Sequence, residues 1–183
     1  IRLATPYLYA AIGEAIAEMS GVVNLGVEGV MLVAGFGAFY VALMTGSLWL
    51  GLLAAVVLGL LMGLLMAFIS VTLKAEQGIS GIGLYMFGLG LSSLLFKTMI
   101  GTVKTIDGFQ PIKIPLLSDI PYVGKIFFEQ SLPVYAAFLL VPITWFILDK
   151  TTWGLRLKAV GQTPAAADSL GISVDKVRYV ATC

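Results

Sequence analysis

The stretch LWLGLLAAVVLGLLMGLLMAFISV, residues 48–71, decides the fold class. It has no charged residue and exceeds the roughly 20 residues that a helix needs to cross a hydrocarbon core about 30 Å thick. A membrane β-barrel strand would instead alternate apolar and polar residues over about ten positions. Because this stretch does not alternate, it predicts an all-α integral membrane protein, a polytopic bundle of transmembrane helices.

The composition of the whole chain agrees with a protein surrounded by lipid bilayer. Of its 183 residues, 59% are hydrophobic and 11% are charged, and the mean hydropathy is +1.00. Soluble domains usually have about 25% charged residues, so this chain has too few to cover a surface that faces water. The net charge of +1 and the lack of a basic cluster give no indication of nucleic acid binding.

Residue types used in metal sites and catalysis are scarce. The sequence contains no histidine, and its one cysteine is Cys183. Histidine is the commonest metal ligand and proton shuttle, and one thiol forms neither an internal disulfide nor a cysteine metal site. The sequence therefore predicts no metal and no cofactor. An intramembrane enzyme would also need a catalytic set, and no serine–lysine pair or paired aspartates stand out within a span.

The apolar segments predict about five membrane segments and the start of another. They lie at residues 6–19, 22–44, 47–73, 79–100 and 132–148. The first is short for a full crossing, and a new segment begins in 171–183. Three prolines discourage a long helix in 101–131, which is expected to form an external loop with one short helix. We interpret 1–183 as a single transmembrane domain that is incomplete at both ends.

The polar stretch at 149–171 is predicted to lie on the cytoplasmic side, because lysines and arginines gather between residues 150 and 178. Within it, Pro164 suits the first turn of a helix with Thr163 as N-cap, and Gly171 would end that helix. A helix this short is unstable alone in water, so it must dock on something. An ordinary helix resting on the membrane surface is the alternative.

This stretch resembles the cytoplasmic coupling segment of ABC importer permeases, whose pattern is Glu-Ala-Ala, three residues, then Gly. AVGQTPAAADSLGI, residues 159–172, fits the spacing, with Ala165 where the pattern has Glu and the acid at Asp168 instead. Two further stretches, residues 13–39 and 73–96, are similar to the nucleoside and simple-sugar branch of the branched-chain amino acid, simple sugar and nucleoside permease family.

The resemblance implies a permease subunit that is not itself an enzyme. No G-x-x-x-x-G-K-[ST] phosphate-binding motif occurs in the sequence. The implied partners are ABC ATPase subunits at the cytoplasmic face, a second permease subunit and an extracytoplasmic solute-binding protein. The implied setting is a bacterial inner membrane, where a nucleoside or simple sugar would move inward by alternating access. The residues assigned to ATPase coupling are Gly161, Pro164, Ala165, Ala166, Ala167, Asp168 and Gly171.

A second group of polar residues and glycines lies in EAIAEMSGVVNLGVEG, residues 14–29. The candidates for a helix break or a solute pathway are Glu14, Asn24, Gly26, Glu28 and Gly29. Non-helical backbone at membrane depth is tolerated only within protein or beside a water-filled cavity. We therefore hypothesise that the two glycines relax the backbone and that residues 21–29 line the solute path. The alternative is a re-entrant turn near the cytoplasmic face whose polar groups cap helix ends and help hold subunits together.

Another class of function stays open at this point. An ion-coupled secondary transporter would use Glu14, Glu18 or Glu28 to carry protons or sodium. It would work without ATP and stop with an uncoupler, whereas an importer would depend on its ATPase partner. The solute is open too, because the aromatic residues that could stack on a nucleobase suit a helix core equally well. They are Tyr7, Tyr9, Phe36, Phe39 and Tyr40.

Overall fold

The computed structural model describes residues 1–102, 105–106, 108–113 and 129–183. The regular secondary structure within them is helical apart from one pair of short strands. In chain order the elements are a 3₁₀ turn (Arg2–Ala4), α1 (Thr5–Met19), α2 (Val27–Thr45), α3 (Leu48–Ala67) with a π-helical turn (Phe68–Thr72), α4 (Gln77–Met99), β1 (Pro111–Lys113), β2 (Glu129–Ser131), α5 (Leu132–Lys150), α6 (Thr152–Gln162), α7 (Pro164–Ser169) and α8 (Val174–Thr182).

Among the described residues, four helices are long and apolar enough to cross a membrane. They are α2, α3 with its π-helical turn, α4 and α5, with 19, 25, 23 and 19 residues and mean hydropathies from 1.7 to 2.8. No more than 22% of each span is buried inside the chain, so most of its side chains are left to face lipid or other membrane segments. The predicted polytopic all-α fold class is confirmed. The fifth predicted segment, α1, has 15 residues, about 22 Å at 1.5 Å per residue, and is shorter than a straight crossing.

Helices α2, α3 and α4 pack around one apolar core. Its buried residues are Val33, Met62, Met66 and Leu84. The crossing of α2 and α4 depends on glycine, because a Cβ on Gly88 would lie 2.6 Å from the Cα of Gly29. Such a distance lies well inside carbon–carbon contact, so any larger residue would force the two helices apart.

A second core joins α1 to the C-terminal helices. Leu148 of α5, Leu157 of α6 and Ala181 of α8 are buried together, and Ile16 of α1 packs against them. Helix α6 was not predicted from the sequence, in which residues 149–162 belong to a polar stretch. It forms because Thr151 accepts a hydrogen bond from the Gly154 amide at 3.3 Å, and because Gly154, Leu157 and Val160 recur at helical spacing on its buried face.

The region expected as an external loop, 101–131, contains two strands that the sequence did not indicate. Strands β1 and β2 pair antiparallel, with Pro111 opposite Ser131 and Lys113 opposite Glu129. The short helix expected there falls outside the described residues. Near the strands, the Tyr9 hydroxyl donates to the Pro133 carbonyl at 2.7 Å. The start of α1 therefore lies beside the start of α5, and the end of α1 points to the opposite side of the bundle.

Candidate functional site

Between α1 and α2 the helical structure is interrupted by residues 20–26, a segment that we call the helix break. Helix α1 ends at Met19, and Ser20 and Val22 directly after it are fully buried. The Ser20 hydroxyl donates to the Ala17 carbonyl at 2.6 Å, and Gly21 has φ +84°, a left-handed conformation that glycine adopts without strain. Non-helical backbone is thus buried inside this membrane protein, where its polar groups need protein partners.

Side chains from three elements supply those partners. The Glu14 carboxylate of α1 accepts a hydrogen bond from the backbone amide of Asn24 at 2.7 Å. Gln77, in the first turn of α4, accepts from the Val23 amide at 2.9 Å and donates to the Gly21 carbonyl at 3.2 Å. Within the break itself, the Asn24 side chain accepts from the Gly26 amide at 2.9 Å, which closes an Asx-turn. The break is therefore a fixed structure held by polar side chains.

The C-terminal helices contact the break from the other side. Arg178 of α8 donates from its Nε to the Ser20 carbonyl at 3.2 Å. The backbone of α6 approaches so closely at Gly161 that a Cβ there would overlap the Met19 carbonyl oxygen and lie 3.3 Å from the Gly21 amide nitrogen. Gly161 is thus required for direct backbone contact between α6 and the end of α1.

The break is shorter than the sequence predicted. Helix α2 begins at Val27, so Glu28 and Gly29 belong to its first turn and the predicted break over 21–29 is wrong at its C-terminal end. The two glycines also have another role than backbone relaxation. A Cβ on Gly26 would lie 2.6 Å from the Gly81 carbonyl oxygen, and one on Gly29 would lie 2.7 Å from the Tyr85 Cα. Both let α4 pack closely against the chain.

The predicted pathway residues separate into two places. Glu14 and Asn24 line a cavity of about 460 Å³ between α1, α2, α3 and the end of α8. Glu28 lies in another cavity, of about 330 Å³, with Tyr7 and Tyr85. Glu28 is exposed, and among the described residues it has no hydrogen-bond or ion-pair partner. The five candidates therefore do not form one site, since two of them hold the break and Glu28 stays free.

The coupling-like segment folds as a short helix, as its sequence predicts. Helix α7 has Pro164 in its first turn. It ends in a turn where the Gly171 amide donates to the Asp168 carbonyl at 2.9 Å and Gly171 has φ +80°. The predicted end at Gly171 is confirmed. Thr163 occupies the predicted N-cap position, although its side chain makes no capping hydrogen bond.

Helix α7 buries one side chain. Ala167 is 2% exposed and faces the chain, whereas Ala165, Ala166 and Asp168 are exposed and Leu170 is 80% exposed. Within the described part of this chain, the outer face of α7 thus consists of small and acidic side chains that no other element covers, with the exposed Leu170 directly after the helix. The residues assigned to ATPase coupling do not all lie on this surface, because Gly161 lies in α6 against the break.

Two residues at the break were missed in the sequence. Gln77 lies between two predicted membrane segments, and Arg178 counts among the basic residues that predict the orientation. Their partners lie 54 and 158 residues away along the chain. One signal was available for Gln77, since it is an amide at the start of an apolar span, where a polar side chain needs a partner.

Comparisons with known proteins agree with this architecture. The model of a family described as "Branched-chain amino acid transport system / permease component" matches residues 1–183. The chain is 40% identical to the guanosine ABC transporter permease protein NupQ of Bacillus subtilis, over 97% of this chain and 59% of that protein. It is 39% identical to the putative glucose ABC transporter permease protein TsgC13 of Haloferax volcanii, over 99% of this chain and 56% of that protein.

A third relative, the nucleoside ABC transporter permease protein NupC of Lactococcus lactis, is 36% identical over 96% of this chain and 58% of its own length. The chain thus spans a little over half the length of these relatives. No solved structure matches it. Because the family model matches the whole chain and the relatives are named for nucleoside and sugar transport, this multi-pass membrane protein belongs to the branched-chain amino acid transport system permease family, on its nucleoside and sugar branch.

Proposed function

We propose that this chain forms part of the permease subunit of an ATP-driven importer, which moves a nucleoside or a simple sugar inward across a cytoplasmic membrane by alternating access. Its partners are ABC ATPase subunits, a second permease subunit and an external solute-binding protein. The names of the relatives, which include guanosine, nucleoside and glucose permeases, support this class of solute.

The observation that carries the proposal is the connection between α7 and the helix break. The outer face of α7 is open for an ATPase partner, and both of its flanking helices, α6 and α8, contact the break. Gly161 of α6 lies against Met19, and Arg178 of α8 is bonded to Ser20. A push on α7 is therefore transmitted through short, rigid elements to the end of α1. Rigid-body movement of this kind is a common way to switch between two states.

The geometry also assigns different work to the intramembrane carboxylates. Glu14 accepts a backbone hydrogen bond, so we propose that it and Asn24 shape the break and that neither carries an ion. Glu28 is exposed in a cavity beside α4, so we propose that it faces the solute path. An ion-coupled transporter needs a carboxylate that is free to exchange its cation, so it would have to use a carboxylate other than Glu14, whose oxygen is bonded to the break.

The test is solute uptake into membrane vesicles that contain the whole transporter. With guanosine and glucose as probes, uptake should require ATP and the ATPase partner. It should stop when the lysine of the partner's phosphate-binding loop is replaced by alanine, and it should persist when a protonophore collapses the proton gradient. Uptake that continues with the inactive ATPase and stops with the protonophore would establish the secondary transporter instead.

A further inference from the structure

We infer that the groove between α2 and α4 binds the nucleobase of a transported nucleoside, an inference that rests on the proposed import function. The groove, which we call the aromatic groove, has a volume of about 520 Å³ and takes its apolar wall from Leu32, Phe36, Phe39 and Phe96. Small-molecule sites usually have volumes of about 300–1,000 Å³ and mostly apolar, aromatic linings. Three of the four wall residues are phenylalanines.

The phenylalanine rings of the groove are held between two helices and are partly exposed. Positions 32, 36 and 39 lie on one side of α2, because residues three and four apart share a helix face. Phe36 is half-buried and stacks on Tyr40, with ring centroids 5.9 Å apart and planes at 16°, which fixes its orientation. Phe96 approaches from α4 and is 39% exposed. Fixed, partly open rings provide stacking surfaces for a planar base.

The polar groups of the aromatic groove are few. The Ser92 hydroxyl donates to the Leu89 carbonyl at 3.2 Å, which leaves its oxygen able to accept. Ser93 has no hydrogen-bond partner within the described part of the chain, and Lys97 has no ion-pair partner there. A sugar carries hydroxyls around its ring, and each hydroxyl that has no hydrogen-bond partner in the groove lowers the affinity for the sugar. Three rings with two hydroxyls and one ammonium group therefore suit a base better than a sugar.

A second cavity lies beside the aromatic groove along α2. Leu32 also lines the cavity that contains Glu28, Tyr7 and Tyr85, so the two cavities share that residue. From Glu28 to Phe39 the helix rises about 17 Å, at 1.5 Å per residue. The nucleobase site therefore adjoins the cavity in which we propose that Glu28 faces the solute path.

The experiment measures uptake by the whole transporter in vesicles, with guanosine, adenosine, uridine and glucose as separate probes. Replacing both Phe36 and Phe96 by leucine keeps the groove apolar but removes two ring faces. We expect the KM for nucleosides to rise about tenfold. Phe87→Leu changes an exposed phenylalanine that lies on α4 outside the groove, and it should leave uptake unchanged.

A wild-type KM in the double leucine variant would overturn the nucleobase site. ATP-dependent uptake of glucose by the wild-type transporter with no nucleoside uptake would also overturn it, while leaving the importer intact. Uptake of any probe that does not need the ATPase would overturn the proposed function itself.

Chemical labelling tests the site where the leucine variants do not assemble. A Ser93→Cys variant, made in a Cys183→Ser background so that it carries one thiol, is reacted with a maleimide in membranes. Guanosine should slow the labelling at least about threefold at concentrations that saturate uptake, and glucose should leave it unchanged. Equal labelling with and without guanosine would contradict the inference.

Discussion

The helix break and helix α7 are both short interruptions of the apolar bundle, but they are completed in different ways. The break is bonded by Glu14, Gln77 and Arg178, which come from three separate helices. Helix α7 buries one side chain, Ala167, and exposes its other faces. The chain therefore satisfies the break by itself and leaves α7 for a partner. Changes at the break should affect the folded state, and changes at α7 should affect assembly and coupling.

The largest effect is expected at Gly161, where the two regions meet. Gly161→Val would place carbon atoms on the Met19 carbonyl, so the end of α1 must move. We expect a loss of about 3 kcal/mol in the free energy of unfolding, at the upper end of the range for overpacking, and a loss of uptake of more than tenfold. Denaturation of the purified transporter in detergent measures the first, and vesicle uptake the second.

The matched control is Gly83→Ala on α4, because no atom lies within 4 Å of a Cβ at that position. It should behave as wild type in both measurements. A Gly161→Val variant with unchanged stability would show that α6 does not rest on the break.

The next effect concerns the partners of the break backbone. Gln77→Leu leaves the Val23 amide and the Gly21 carbonyl without their side-chain partners. A hydrogen bond contributes about 0.5–1.5 kcal/mol to stability, and this variant loses two, one exposed and one partly buried within the chain, so we expect a loss of about 2 kcal/mol in the free energy of unfolding. Thr98→Val, at an exposed threonine on the same helix, should change it by less than about 0.5 kcal/mol. Equal losses in the two variants would contradict the bonding.

Glu14 separates the importer from the ion-coupled alternative. The Glu14→Gln variant keeps an oxygen that can accept from the Asn24 amide, so we expect most of the uptake to remain. Glu14→Leu removes the acceptor and should destabilise the folded protein by about 1–2 kcal/mol. If Glu14→Gln abolished uptake while the protein stayed folded and abundant, ion coupling through this carboxylate would be favoured.

The smallest effect on folding is expected at the end of α7. Gly171→Ala meets no neighbouring atom, but it places a side chain at φ +80°, which should cost about 1 kcal/mol. Uptake and co-purification of the ATPase subunit should fall, because the turn after α7 is displaced. Gly171→Asn is the matched variant, since asparagine tolerates left-handed backbone, and it should retain both. Similar losses of uptake and co-purification in the two variants would show that ATPase docking does not depend on the left-handed conformation of this turn.

Features set by local sequence were predictable. The spans follow from apolar length, and Gly171 ends α7 because a left-handed turn after a short helix favours glycine. The partners of the break were not predictable, because Gln77 and Arg178 find their carbonyl and amide groups only after distant helices have packed. The glycines at positions 26 and 29 illustrate the same limit. Their presence was visible, but their contact with α4 depends on the crossing of two helices.

The candidate functional residues show the same difference between local sequence and long-range packing. The α7 segment was found because its residues are consecutive, whereas the aromatic groove combines residues of α2 and α4 that lie about 60 positions apart in the sequence. In the sequence, Phe36 and Phe39 could belong equally to a core or to a binding site, and Phe96 did not stand out. Only the packing of α2 on α4 brings the three rings to one groove.

The measurement that tests the account most directly is cross-linking from α7 to the ATPase subunit in the whole transporter. A cysteine at Ala166, in the Cys183→Ser background, should react with a short cross-linker to give a permease–ATPase product whose yield changes when ATP is added. Asp175→Cys, at an exposed position on α8, should give far less product. No product from Ala166→Cys, or equal yields from both positions, would contradict α7 as the docking helix.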